Sequence, residues 1–192
     1  APSGTSLFSL HPDRDGDQPF TLTESGEYSV VVDGVGPATG QFKFRLVDVA
    51  SSTVLTPDAV LTGTLDPGTS DGMFQIPATA GQRLYFAGHS PSYASTWSFY
   101  APDNTPVASG SLALDFEAVL PQSGTYLLVL GGQDPASPVP YTNRVSLFTS
   151  ESRSITAGQM ANGSLITDSL NRPGDQVNYT FTGVAGQRLF YD

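Results

Sequence analysis

The chain has 192 residues, a formal net charge of -10, only 14% charged residues, a single lysine (Lys43) and no cysteine. An acidic surface of this kind repels phosphate backbones and anionic lipid, which argues against nucleic-acid and membrane partners. The missing cysteines exclude disulfide braces and leave core burial or bound cations to hold the fold.

Hydrophobic residues at 39% and aromatics at 10% supply enough material for packed cores, which excludes a disordered chain. No run approaches the ~20 apolar residues of a membrane span. The sequence opens Ala1-Pro2-Ser3 rather than with Met, as expected of a mature or excised fragment. Abundant Thr, Ser, Gly and Asp beside one lysine suit a secreted bacterial protein, extracellular or at the cell surface.

Taken in chain order, the predicted elements are short strands between turns. Asp13-Arg14-Asp15-Gly16-Asp17 is an acidic turn. Ser25-Gly26-Glu27-Tyr28-Ser29-Val30-Val31-Val32 reads as a strand, and Gln41-Phe42-Lys43-Phe44-Arg45-Leu46 as another, joined by a Gly/Pro loop. Gly63-Thr64-Leu65, Met73-Phe74-Gln75-Ile76 and Ala80-Gly81-Gln82-Arg83-Leu84-Tyr85-Phe86 continue the pattern. Ser98-Phe99-Tyr100-Ala101 leads into the turn Pro102-Asp103-Asn104. Ser123 to Leu130 holds the continuous apolar run Tyr126–Leu130, as in a strand buried on both faces, and Tyr141 to Leu147 follows. Gly163-Ser164-Leu165, Val177-Asn178-Tyr179-Thr180-Phe181 and Ala185-Gly186-Gln187-Arg188-Leu189-Phe190-Tyr191 complete the chain. No helical period lasts ten residues.

The later elements repeat the earlier ones. Ala80–Phe86 returns 105 residues later as Ala185–Tyr191, and Gly63–Leu65 returns after 100 residues as Gly163–Leu165. Ser25–Val32 returns after 98 residues as Ser123–Leu130. These offsets predict residues 1–49 to be the C-terminal half of a repeat, 50–150 a complete repeat and 151–192 the N-terminal half of a third, with the two halves completing each other within or between chains. Many short strands with regular turns in about 100 residues predict an all-β chain of β-sandwich repeats with jelly-roll or immunoglobulin-like connections.

The motifs Tyr179-Thr180-Phe181-Thr182-Gly183 with Ala185–Leu189, Ser98–Asn104 and Ser123-Gly124-Thr125-Tyr126 together resemble the bacterial pre-peptidase C-terminal domain family. The resemblance implies a jelly-roll-like sandwich of secreted proteins, sometimes calcium-binding, appended to proteases or strung along large surface proteins.

Candidate sites are few. Asp13, Asp15 and Asp17, three carboxylates at alternate positions around a glycine, suit a hard cation such as calcium; the alternative is an acidic turn that stays solvated. Pro102–Pro106 is taken as the matching turn of the whole repeat and lacks those acids. Gly88-His89-Ser90-Pro91-Ser92 departs from a nucleophile elbow, because Ser92 replaces the second glycine and no helix follows. Asp115 and Glu117, two apart, form either a solvent-facing stripe or a cation-ligand pair. Trp97, Tyr93, Tyr85 and Tyr100 suggest an aromatic sugar platform, but Trp97 is matched to Leu7 and read as core. Arg83 and Arg188 recur after Gly-Gln, which points to a scaffold role bonding a carbonyl or carboxylate.

The expectation is therefore a non-catalytic structural or adhesive repeat module, possible to stabilise with calcium and able to assemble head-to-tail. Its partners would be neighbouring repeats or other copies of itself, or a glycan or protein ligand. The second expectation is an accessory carbohydrate- or protein-binding module of a secreted hydrolase.

Overall fold

A computed structural model of the chain describes residues 1–9, 18–34, 36–37, 39–42, 44–90, 95–134, 136–171 and 175–191. Among these, nine strands form two sheets. The strands are β1 (Thr53–Val54), β2 (Val60–Leu65), β3 (Asp71–Ala78), β4 (Arg83–Gly88), β5 (Thr96–Tyr100), β6 (Pro106–Ser111), β7 (Phe116–Val119), β8 (Gly124–Gly131) and β9 (Val139–Phe148). One sheet has the order β1-β3-β8-β5-β6 and the other β2-β9-β4-β7. All pairings in them are antiparallel except β1 with β3. The chain is all-β in character, and the two sheets pack as a β-sandwich, as the sequence predicts.

Period-two alternation explains the burial. In β4, Leu84 and Phe86 are buried between partly covered Arg83 and Tyr85; in β5, Trp97 and Phe99 are buried between Thr96 and Ser98. These side chains meet Phe74 and Ile76 of β3, Tyr126, Leu128 and Leu130 of β8 and Val145 of β9 in one core, which also takes in the fully buried Leu112 and Leu120. Phe99 stacks on Tyr126 at 5.1 Å between ring centroids, and Trp97 lies 5.3 Å from Phe86 and 4.8 Å from Phe116. β8 is central to its sheet, and Tyr126, Leu127 and Leu128 are all buried, as a continuously apolar strand requires.

The chain after residue 150 contains β10 (Glu151–Ile155), α1 (Ala157–Asn162) and β11 (Val177–Phe181), with β10 and β11 paired in parallel. The six-residue helix was not expected. It is nucleated locally: Thr156 and Gln159 form a reciprocal capping box, and Gly163 ends the helix in the left-handed region at φ 58°. The Thr-x-x-Gln spacing was the available signal.

Two matches made from the sequence are corrected by geometry. The counterpart of the turn at Pro102 is not the Asp13–Asp17 segment but Ala1–Thr5. Asn104 N–H donates to Ala101 O at 2.9 Å, and Gly4 N–H donates to Ala1 O at 2.9 Å; Asn104 and Gly4 both have positive φ, 67° and 84°. With Pro102 aligned on Pro2, Leu7 corresponds to Val107 rather than to Trp97. Trp97 is nonetheless core, 3% exposed, with its Nε1–H donating to Ser111 O at 3.0 Å.

Candidate functional site

The cation candidates Asp13, Asp15 and Asp17 lie outside the described residues, as does Tyr93 of the aromatic candidates. The other polar candidates are occupied. Asp115 accepts hydrogen bonds from Tyr85 Oη at 2.7 Å and from the Gly88 backbone N–H at 2.9 Å. The Tyr85 bond, seconded by Gly88, holds the Asp115 carboxyl below its ordinary range and raises the Tyr85 phenol. Glu117 pairs with Arg83, so Asp115 and Glu117 brace two different neighbours rather than converging on one cation. The scaffold role expected of Arg83 is met by that carboxylate. Among the described residues, no three His, Cys, Asp or Glu side chains gather as a metal site.

Ser90 is 5% exposed and is not placed as a nucleophile. Its Oγ donates to Asn143 Oδ1 at 2.9 Å and accepts from the Thr142 N–H at 3.0 Å. Asn143, fully buried, donates from Nδ2 to Leu112 O at 2.8 Å. The network ties the loop after β4 to β9 and to the segment between β6 and β7, and its polar atoms are committed to structure. Trp97 and Tyr100 are buried, so they offer no sugar platform.

What stands exposed is apolar. Among the described residues, nineteen of the twenty-three exposed large hydrophobic side chains lie before residue 50 or after residue 150, and every buried hydrophobic residue lies from Leu65 to Phe148. The exposed set includes Val30, Val31 and Val32, Phe42, Phe44 and Leu46, and at the other end Tyr179, Phe181, Leu189 and Tyr191.

These flanks are locally organised in the manner of the sandwich. Tyr126 Oη donates to Gln122 O at 2.9 Å and accepts from Gln122 N–H at 3.1 Å; Tyr28 Oη does the same with Glu24, at 2.9 and 3.0 Å. Gly124 and Gly26 share φ values of 145° and 146°, and a Cβ on them would sit 2.7 Å from Pro102 Cγ and 2.8 Å from Pro2 Cγ respectively, so both positions require glycine. Gln122 Nε2 bonds Asp103 in one segment, while Glu24 accepts from the Ser3 backbone N–H and Oγ in the other.

At the C-terminal side, Gln82 N–H donates to Thr79 O and Thr79 N–H to Gln82 Oε1; Gln187 and Val184 make the same two bonds. Gly81 and Gly186 have φ of 83° and 84°. β10 beside β11 repeats β1 beside β3: Arg153 and Ser154 face Tyr179 and Thr180 as Thr53 and Val54 face Phe74 and Gln75. Asp168 joins this flank by accepting from Tyr179 Oη and pairing with Arg153, and the Tyr179 bond lowers its carboxyl. The N-terminal flank touches the sandwich through Asn104 Nδ2 to Thr21 Oγ1 at 2.8 Å and Arg45 to Asp71 O at 2.9 Å.

No family model matches the sequence, and no curated protein matches it. Solved structures of similar shape include the periplasmic g-type lysozyme inhibitor PliG of Aeromonas hydrophila, 22% identical over 50% of this chain and 96% of that one, with a TM-score of 0.43. PliG of Salmonella Typhimurium is 17% identical over 50% and 98%, with a TM-score of 0.40. The pre-peptidase C-terminal domain of a Bacillus anthracis collagenase is 14% identical over 51% and 95%, with a TM-score of 0.37.

Proposed function

We propose that the chain is a non-catalytic structural module of a secreted bacterial repeat protein, in which sandwich units of about 100 residues follow one another. Residues 50–150 are one whole unit, and residues 1–49 and 151–192 are the complementary halves of others. The observation that carries this reading is the recurrence of the same local hydrogen bonds on both sides of the sandwich: the tyrosine corner of Tyr126 at Tyr28, and the glutamine turn of Gln82 at Gln187. A reacting group is needed once, whereas a scaffold device must recur in every copy of the scaffold.

The roles of the reactive side chains support the same reading. Ser90, Asp115 and Glu117 spend their hydrogen-bonding capacity on β9, on β4 and on Arg83 respectively. The proposal is tested with the purified chain assayed on ester, peptide and glycan substrates beside Ser90→Ala. The expected result is no turnover by either protein and a lower melting temperature for the variant. Turnover that disappears in Ser90→Ala while the melting temperature holds overturns it.

A further inference from the structure

We infer that Gly63 and Asp168 decide which of two closely similar strand sequences β9 accepts, so that each repeat closes on its own β2 and not on that of the repeat after it. The inference deepens the module reading above and rests on it.

The two candidate partners are alike. Val60-Leu61-Thr62-Gly63-Thr64-Leu65 of β2 is matched at an offset of 105, that of the glutamine turn, by Leu165-Ile166-Thr167-Asp168-Ser169-Leu170, a longer match than Gly163–Leu165. Only one position changes character, from Gly63 to Asp168. The wrong partner is also the nearer one. Arg144 of β9 pairs with Val60, 84 residues away, whereas Leu165 is only 21 residues away. Loop closure at these lengths favours the nearer segment by about eightfold. Something other than hydrophobic pattern must therefore reject it.

The space over position 63 supplies the distinction. Gly63 faces Tyr141 across the ladder of β2 and β9. A Cβ on Gly63 would lie 2.6 Å from Tyr141 Cζ and nearer still to its Oη, so the ring covers the bare glycine. There it meets Phe74 edge-on, with 6.3 Å between ring centroids, and packs against the core. A ring laid over a glycine on an edge strand covers backbone that no side chain of the strand can cover. A side chain at position 63 would displace the ring and uncover Phe74.

Asp168 fills the corresponding space. Thr53 pairs with Phe74 and Arg153 with Tyr179 in the two parallel ladders, so Arg153 and Tyr179 are the counterparts of Thr53 and Phe74. Asp168 accepts from Tyr179 Oη and pairs with Arg153. Its carboxylate is held at the ring that stands for Phe74, where Tyr141 would have to lie. Thr53 and Phe74 offer neither the cation nor the phenol, so the three positions change as a set. If β9 crossed to residues 165–170 in its own register, Tyr141 would fall opposite Asp168 and meet its side chain. A slip of one residue gives no escape, because it turns Tyr141 and Val145 to the outer face. Selection here works by obstructing the wrong partner as well as fitting the right one.

The chain has no cysteine, and Val60, Arg144 and Leu165 are exposed, so paired substitutions report strand pairing as disulfides. Full-length Arg144→Cys/Leu165→Cys reports the wrong pairing and Val60→Cys/Arg144→Cys the right one. Both are refolded from denaturant by dilution under oxidising conditions, with Asp168 intact, with Asp168→Gly and with Asp168→Asn. The expected result is that Asp168→Gly raises the 144–165 disulfide at least about fivefold, while Asp168→Asn, which keeps the volume, stays within about twofold of the parent. No rise with Asp168→Gly, or an equal rise with Asp168→Asn, would overturn the proposal. In the reverse direction, Gly63→Asp should lower the melting temperature, and adding Tyr141→Ala should restore part of that loss even though Tyr141→Ala alone lowers it. Losses that simply add would overturn it as well. Circular dichroism melts report on the sandwich separately. A cooperative melt in every Asp168 variant with unchanged crosslinking sinks the strand selection alone, and absence of a cooperative melt in the unmodified chain sinks the module reading.

Discussion

Phe86 and Tyr191 stand at the same place after Ala-Gly-Gln-Arg-Leu, yet Phe86 is 1% exposed and Tyr191 98%. The difference separates two layers of folding. The turn that precedes both residues is closed by bonds between neighbours in sequence, Gln82 with Thr79 and Gln187 with Val184, and forms with or without a partner. Burial is a property of the assembled sheets. Phe86 is flanked in its sheet by β7 and β9 and meets Trp97 of the facing sheet, and all three come from the second half of the repeat. Tyr191 lacks them. A large apolar side chain gains about 1.5–3 kcal/mol on burial, so the flanks hold local geometry without the energy that would make it cooperative.

The sharpest way to break this comparison is to truncate the two residues. Phe86→Ala should cost about 3–5 kcal/mol by denaturant unfolding, while Tyr191→Ala, measured at low protein concentration, should stay within about 0.5 kcal/mol of the parent. Comparable losses would show that the C-terminal flank already belongs to the core.

Calcium gives the next largest effect. If Asp13, Asp15 and Asp17 hold the ion, calcium at ~100 times its Kd should add about 2.7 kcal/mol to the segment that contains them. Calorimetry in millimolar calcium against chelator measures this, and Asp13→Asn with Asp15→Asn should abolish the gain. Superimposable melts would assign the loop to a solvated acidic turn.

The tyrosine corners make a matched pair. Tyr126→Phe leaves the Gln122 N–H and C=O without their partner beside a fully buried ring, and should cost about 1–3 kcal/mol. Tyr28→Phe removes the same bonds in a half-exposed setting and should cost a few tenths by the same measurement.

The smallest effect lies at Asp115. Its folded carboxyl is depressed by the Tyr85 bond, so the stabilisation is present above the ordinary carboxylate range and is lost as pH falls through the lowered folded value. Tyr85→Phe should flatten that acid limb of the melting-temperature profile by a few degrees at most and leave neutral pH nearly unchanged. An acid limb identical to the parent's would remove Tyr85 as its cause.

Strand positions were legible wherever a strand alternates against one core, as in Trp97 and Phe99, or is buried on both faces, as in Tyr126 to Leu128. The tyrosine corner is visible as Ser-Gly-x-Tyr, but its bonding partner, the residue immediately before the serine, is not, because backbone donors and acceptors leave no mark in side-chain composition. The role of Asn143 was equally hidden: a polar residue inside β9 reads as surface until the sandwich closes over it and Leu112 O comes within reach. The mismatch of Leu7 with Trp97 had a different origin. The sequence offers two proline-containing segments for alignment with Pro102, one at Pro2 and one at Pro12, and the shared hydrogen bond and positive φ at Gly4 and Asn104 decide for Pro2.

Hydrogen exchange resolved by residue tests the central claim most directly. Amides of residues 126–130 and 73–76 should be protected to the global unfolding limit, while those of residues 28–32 and 177–181 should exchange far faster, through local opening. Protection of residues 28–32 and 177–181 equal to that of residues 126–130 and 73–76 would contradict it.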